Sequence, residues 1–235
     1  MSKLKREIQS QYDELIEAYG QTFGSKAGRH YYSKKIRLFS EYFPRDRTSL
    51  RVLEIGCADG VFSNAFLGMG YDLVGIDFSK TQIARARARC RQGRLIVGDG
   101  EALPFQSHSF DVIFAMCTFR YFENIDRGLQ ECHRTLRPGG ILIIDVPNQY
   151  CPFFMNLPKW MMRLLPFFPP SREDTPSFSP GSISRLFHKN GFSQIEAQCR
   201  LIIYRYFPAW LYYLTLPIEY LLEHTPILNK LCALI

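Results

Sequence analysis

The residues whose type and spacing could do chemistry are Glu54, Gly56, Gly60, Asp77 and Asp99. Three carboxylates and two glycines stand at the ends of apolar runs, where a strand gives way to a turn. Residues 51–60 read RVLEIGCADG: Val52, Leu53 and Ile55 suit a buried strand, and Gly56 and Gly60 break it before a helical run. Strand, glycine turn and helix N-terminus in that order build a nucleotide-sized site. Gly56 lets the backbone turn tightly against a ligand, because it has no Cβ. Glu54 places a carboxylate in a buried strand, so it must find a partner, either a ligand or the backbone of the turn. Asp77 ends a second apolar run, YDLVGID, where an acid can accept hydrogen bonds from both hydroxyls of a ribose. Phe78 follows it and can pack on a base.

The positioning elements follow in sequence. RLIVGD (94–99) is a third strand, FDVIFAM (110–116) a fourth, and LRPGGILIIDV (136–146) a turn into a fifth. Helices are expected over 61–69, from the S-x-x-Q pattern of Ser79 and Gln82 onward, and over 126–136. The spacing in the first turn is E-x-G-x-x-x-G, not the G-x-G-x-x-G of dinucleotide enzymes. By itself it fits a strand-to-helix turn of any α/β protein.

These pieces, in this order over residues 48–147, resemble the class I S-adenosylmethionine-dependent methyltransferases, in the branch that acts on small molecules and lipids (methyltransferase type 11-like). The run GDGEALPF after the third strand is the most specific part of the likeness. The resemblance implies an α/β, Rossmann-like class I methyltransferase fold. Its sheet would be mostly parallel and seven-stranded, with helices on both faces and a last strand short or missing. It implies S-adenosylmethionine as cofactor, with S-adenosylhomocysteine as product. It also implies that Asp99 binds the adenine amino group and that the neighbouring backbone, at Gly100 and Glu101, binds a ring nitrogen. The residues expected around the cofactor are then Glu54, Gly56, Cys57, Ala58, Gly60, Asp77, Phe78, Asp99, Gly100, Glu101 and Met116. Tyr19 and Arg29 join them from a leading segment that covers the cofactor in relatives; core tyrosine and solvated arginine are the plainer readings of those two. No metal is expected.

Relatives often carry a histidine pair, or a glutamate and a histidine, after the fourth strand. Here that place holds Arg120 and Tyr121. Methyl transfer from a sulfonium is an in-line displacement that needs alignment and exclusion of water, and needs a base only where the acceptor keeps its proton. The catalytic residue is therefore open, with Arg120, Tyr121, His30, Tyr31 and His108 as candidates. Arg120 could grip an anionic group as a fork or pair with Glu123.

The chain has 235 residues, a formal net charge of +7 and 46% hydrophobic residues. This is enough for one good-sized domain with additions. Its parts would be a helical cap over 1–47, the cofactor-binding core over 48–147, an apolar, proline-rich insert over 148–180, and a helix, strand and apolar tail over 181–235. A sixth strand is expected over Phe192–Tyr204. The basic balance suits nucleic acid, an anionic membrane or plain solubility. Arg85, Arg87, Arg89 and Arg91 wrap around one helix, which reads as a solvated face. Enzymes that methylate the amino groups of nucleic acids place an Asn- or Asp-Pro-Pro-aromatic motif after the fourth strand. Here that place holds Ala115, Met116, Cys117 and Thr118, so no nucleic-acid partner is expected. GDGEALPF counts equally against a nicotinamide enzyme. The cysteine count is odd, at seven, with no C-x-x-C pair and a charged start, which points to reduced thiols and a cytoplasmic protein. The segments 150–170 and 206–222 are rich in aromatic and aliphatic residues with Lys159, Arg163 and Arg205 nearby. They could cap the substrate cleft, lie in a membrane interface as a peripheral contact, or form a dimer face. The expected activity is methyl transfer to a small, lipophilic acceptor. The alternatives are a non-catalytic cofactor-binding scaffold and a nucleic-acid methyltransferase.

Overall fold

The structure, a computed structural model, describes residues 5, 9–10, 26–44, 49–146 and 178–196. Their elements in chain order are α1 (Lys26–Glu41), β1 (Arg51–Ile55), α2 (Val61–Gly68), β2 (Asp72–Asp77), α3 (Lys80–Arg89), β3 (Arg94–Val97), β4 (Phe110–Ala115), a 3-10 turn (Phe119–Tyr121), α4 (Ile125–Thr135), β5 (Leu136–Ile144) and α5 (Pro180–Lys189). They fall into two compact units: 5, 9–10, 36–44, 49–146 and 187–193 in the first, and 26–35, 178–186 and 194–196 in the second.

The first unit holds the sheet. Its strands run in the order β3-β2-β1-β4-β5, and every pair is parallel. Parallel strands covered on both faces need apolar residues on both, and β1, β2 and β4 are buried almost throughout. The order reverses between β1 and β4. That switch opens a crevice at the carboxyl ends of the strands, where ligands bind in open α/β sheets.

One side of the sheet carries a cluster of aromatic rings. Phe43 stacks on Phe66 of α2 at 4.7 Å, and Phe66 lies 4.7 Å from Phe114 of β4. Phe39 and Phe43 belong to this core, so the end of the expected cap over 1–47 is part of the sheet unit. The first strand-to-strand helices match their expected spans to within a residue or two. Within the expected helical cap, α1 starts at Lys26 and runs through Gly28. A glycine inside a helix costs about 1 kcal/mol, too little to break it here.

The expected sixth strand is not seen in its described part: residues 192–196 have no regular structure, and the rest lies outside the described residues. The reason is local. Gly191 takes φ +93° beyond α5, its N–H donates to the His188 carbonyl, and the Phe192 N–H donates back to the Phe187 carbonyl. This closes the helix end as a glycine cap and turns Phe192 onto Phe187 and His133. The insert over 148–177, the tail over 197–235 and Tyr19 also lie outside the described residues.

Candidate functional site

The turn between β1 and α2 is built on three left-handed residues: Gly56 (φ +74°), Ala58 (φ +46°) and Gly60 (φ +79°). The N–H groups of Gly56 and Cys57 both donate to the Ile76 carbonyl of β2. Gly60 caps α2 with no side-chain hydrogen bond, so the positive end of that helix is backbone alone. A Cβ at Gly56 would collide with Thr118 Oγ1 and Cγ2. Thr118 has little room to retreat, because its hydroxyl is shared between the Ile55 carbonyl at 3.1 Å and the Met116 carbonyl at 3.0 Å. Gly56→Ala thus adds a left-handed alanine and an overpacked contact, each costing about 1–2 kcal/mol. Its expected loss of stability is about 3 kcal/mol, measured by urea unfolding; a loss below about 1 kcal/mol would show that the turn does not need glycine.

Asp77 stands at the carboxyl end of β2 and folds this turn. Its Oδ2 accepts the Ala58 N–H and its Oδ1 the Ser79 N–H, both at 2.9 Å. Ser79 caps α3 by accepting the Gln82 N–H at 3.2 Å. The capping box is half formed: Asp77, rather than the Gln82 side chain, receives the Ser79 N–H. Asp99 follows β3. Its Oδ1 accepts the Glu101 N–H at 2.9 Å, and its carbonyl accepts the Ala102 N–H. The continuation LPF is fixed from α4: Glu131 accepts the Leu103 N–H, and Arg134 donates to the carbonyls of Leu103 and Phe105. Two carboxylates on neighbouring parallel strands therefore border the glycine turn, each with lone pairs beyond its backbone bonds.

Several expected residues have other work. Glu54 is 1% exposed, and its carboxyl takes a short hydrogen bond from the Ser63 hydroxyl of α2. Its partner is thus a helix side chain, not the turn. Burial is the main cause that raises its pKa to about 8, so it is a neutral acid at pH 7. Glu101 is also buried, and it accepts the N–H groups of Glu123 and Asn124 ahead of α4. Its side chain builds the loop instead of facing a ligand. Gly100 is a packing glycine: a Cβ there would stand 2.7 Å from both Ile55 Cγ2 and Phe122 Cζ. The Met116 side chain is in the aromatic core, and the Cys57 side chain is in a second cluster with Ile83, Ala86, Cys90 and Leu95. Burial pushes the Cys57 thiol well up. Phe78 is half-buried beside Asp77.

The candidate bases are scattered. His108 sits at the amino end of β4, opposite the crevice, with Nδ1 2.9 Å from the Leu136 carbonyl. Its place in the fold removes it from the candidates. Arg29 and His30 are exposed on α1, and Tyr31 meets the Tyr32 ring edge-on at 5.2 Å, all within the second unit. Arg120 lies over the Tyr121 ring at 5.2 Å in the turn after β4. Arg85, Arg87, Arg89 and Arg91 are exposed; Arg87 caps the Leu95 carbonyl and Arg89 pairs with Asp59 at 2.7 Å. Among the described residues no His, Cys, Asp and Glu cluster could hold a metal.

Two features have no sequence signal of their own. Cys117 takes φ +56°, and its N–H makes a short bond to Asp145 just beyond β5. The ammonium of Lys5 lies 2.6 Å from Asp99 Oδ2 and 3.0 Å from Glu101 Oε1.

The family model described as a methyltransferase domain matches residues 53–144. That span runs from β1 to the end of β5 and contains the glycine turn, Asp77 and Asp99. Residues 53–144 are a class I S-adenosylmethionine-dependent methyltransferase domain. The methyltransferase domain is similar to the ubiquinone biosynthesis O-methyltransferase of Mesorhizobium japonicum, with 33% identity over 104 residues, 43% of this chain and 42% of the relative. It is also similar to the demethylmenaquinone methyltransferase of Renibacterium salmoninarum, with 30% identity over 129 residues, 54% of each chain. The chain thus spans about half the length, or less, of these curated relatives. A solved methyltransferase of Thermotoga maritima shares the fold, with a TM-score of 0.62 at 22% identity over 78% of this chain and 80% of that one.

S-adenosylmethionine is the cofactor of this family, and the residues present suit it. Asp77 can accept from ribose hydroxyls, Asp99 from an exocyclic amine, and the bare N-terminus of α2 can meet a carboxylate.

Proposed function

We propose that this chain transfers a methyl group from S-adenosylmethionine to a small, lipophilic acceptor. The observation that carries this reading is the pair Asp77 and Asp99 on adjacent strand ends beside a glycine turn and an uncapped helix N-terminus. When bound, the sulfonium supplies an already activated methyl group. The chain's own part is to hold ribose at Asp77 and adenine at Asp99, and to align the acceptor over the carboxyl ends of β4 and β5. Arg120 and Tyr121, in the turn after β4, are on that side of the switch point and are the residues proposed to face the acceptor.

The acceptor class rests on two supports. The relatives are named for ubiquinone biosynthesis, demethylmenaquinone and malonyl-[acyl-carrier protein] methylation. The sequence segments 150–170 and 206–222 are apolar with cations nearby, a composition suited to lipophilic substrates and to the surface of an anionic membrane from the cytoplasmic side. Among the described residues no helix is long and apolar enough to cross a membrane.

The test is incubation of the full chain with methyl-labelled S-adenosylmethionine and a total extract of its source cells, followed by partition between organic solvent and water. The expected result is label in the organic phase. Label only in the aqueous phase would overturn the lipophilic acceptor, and cofactor binding without label in either phase would favour the scaffold alternative.

A further inference from the structure

Lys5 and Asp99 are 94 residues apart in sequence, yet they form a part-buried ion pair in the first unit. The Lys5 side chain is 11% exposed and that of Asp99 39%. Burial works against the ammonium. The hydrogen bonds to Asp99 and Glu101 outweigh it and hold the Lys5 pKa above its ordinary value, so the group is charged throughout the neutral range. Asp99 Oδ1 already accepts the Glu101 N–H, and Oδ2 accepts Lys5. Glu101 Oε1 accepts the Glu123 N–H at 2.8 Å and lies 3.0 Å from the same ammonium.

The exocyclic amine of adenine is a donor, and so is Lys5. Two donors, one of them charged, therefore address one carboxylate oxygen. A charge-assisted bond is about twice as strong as a neutral one, so the amine does not displace the ammonium without loss. Glu101 gives the ammonium an alternative. A rotation about the lysine stem keeps it paired with Glu101 and frees Asp99 Oδ2.

We propose that Lys5 sets cofactor affinity and purine specificity by competing with the adenine amino group for Asp99. This rests on the cofactor reading above. It makes Lys5 a positioning residue that acts through Asp99. It also makes a directional prediction about the base. A 6-oxo purine presents an acceptor at that position, and the Lys5 ammonium can donate to it without leaving Asp99. The site as built therefore discriminates less between 6-amino and 6-oxo purines than Asp99 alone would.

The experiment is calorimetric titration of the full chain with S-adenosylhomocysteine and with S-inosylhomocysteine, its 6-oxo analogue, for the wild type, Lys5→Met and Lys5→Arg. Lys5→Met is expected to bind S-adenosylhomocysteine about fivefold more tightly and S-inosylhomocysteine more weakly. Lys5→Arg keeps the cation and is expected to follow the wild type. If Lys5→Met does not fold, Lys5→Gln, which keeps a donor without charge, is expected to show the same changes at smaller size. Equal or weaker S-adenosylhomocysteine binding in the folded variant overturns the competition while leaving the cofactor reading in place. Binding of S-adenosylhomocysteine to none of the proteins overturns both.

Discussion

Asp77→Ala is expected to weaken S-adenosylhomocysteine binding at least a hundredfold and to cost about 3 kcal/mol of folding stability. Both effects come from the same two oxygens. Each accepts one backbone N–H, from Ala58 in the glycine turn and from Ser79 at the start of α3. A hydrogen bond to a charged group contributes about 1.5–3 kcal/mol, and removing the carboxylate leaves two largely buried donors unmatched. The turn that it braces carries left-handed backbone at Gly56, Ala58 and Gly60, so the loss loosens this turn as well as removing the proposed ribose acceptor. The bonds to Ala58 and Ser79 make the substitution a change to the fold as well as to binding. Calorimetry and urea unfolding on the same preparations separate the two effects. A folded Asp77→Ala protein that binds within threefold of the wild type would remove Asp77 from the site.

The sheet was legible because each strand is a short apolar run closed by a turn residue, and such runs read the same way in any parallel sheet. Ser79 was legible as a cap for the same local reason. What was not legible is long-range. Glu54 could have faced a ligand, the turn or a helix, and only the packing of α2 on β1 brings Ser63 to it. Glu101 sits in the most specific motif of the chain, yet its carboxylate is taken by amides more than twenty residues away. Cys57 and Met116 border the site in sequence, while their side chains turn into two separate clusters. His108 looked like a base until the sheet put it at the amino end of β4. Lys5 lies in a charged stretch with no pattern to single it out, and its partner comes from another element altogether. The left-handed Cys117 has no sequence mark either, because a non-glycine at positive φ is fixed by its surroundings, here the Asp145 carboxylate and the Thr118 contact over Gly56.

Glu54→Gln is expected to remove a pH dependence of stability on the order of 5 kcal/mol. Burial lifts the Glu54 carboxyl from an ordinary 4.5 to about 8 in the folded chain. Between those values the folded protein keeps a proton that the unfolded chain gives up. Unfolding is then favoured as pH rises, so stability is full below 4.5, falls through the window and levels off above about 8. Each pH unit of such a difference is worth about 1.4 kcal/mol. Glutamine cannot ionise, and its side-chain oxygen can still accept the Ser63 hydroxyl. The variant should therefore trail or match the wild type at pH 5, which is so close to the ordinary carboxyl value that little of the cost has yet accrued. It should surpass the wild type at pH 8.5, where the wild type bears the full cost of burying a carboxyl that ionises freely in the unfolded chain. Other titrating groups are common to both proteins and cancel in the difference. Urea unfolding of both at pH 5, 6.5 and 8.5 measures it directly, and a difference in stability that stays constant across the three would show that Glu54 is ionised in the folded chain, with a further partner for its charge.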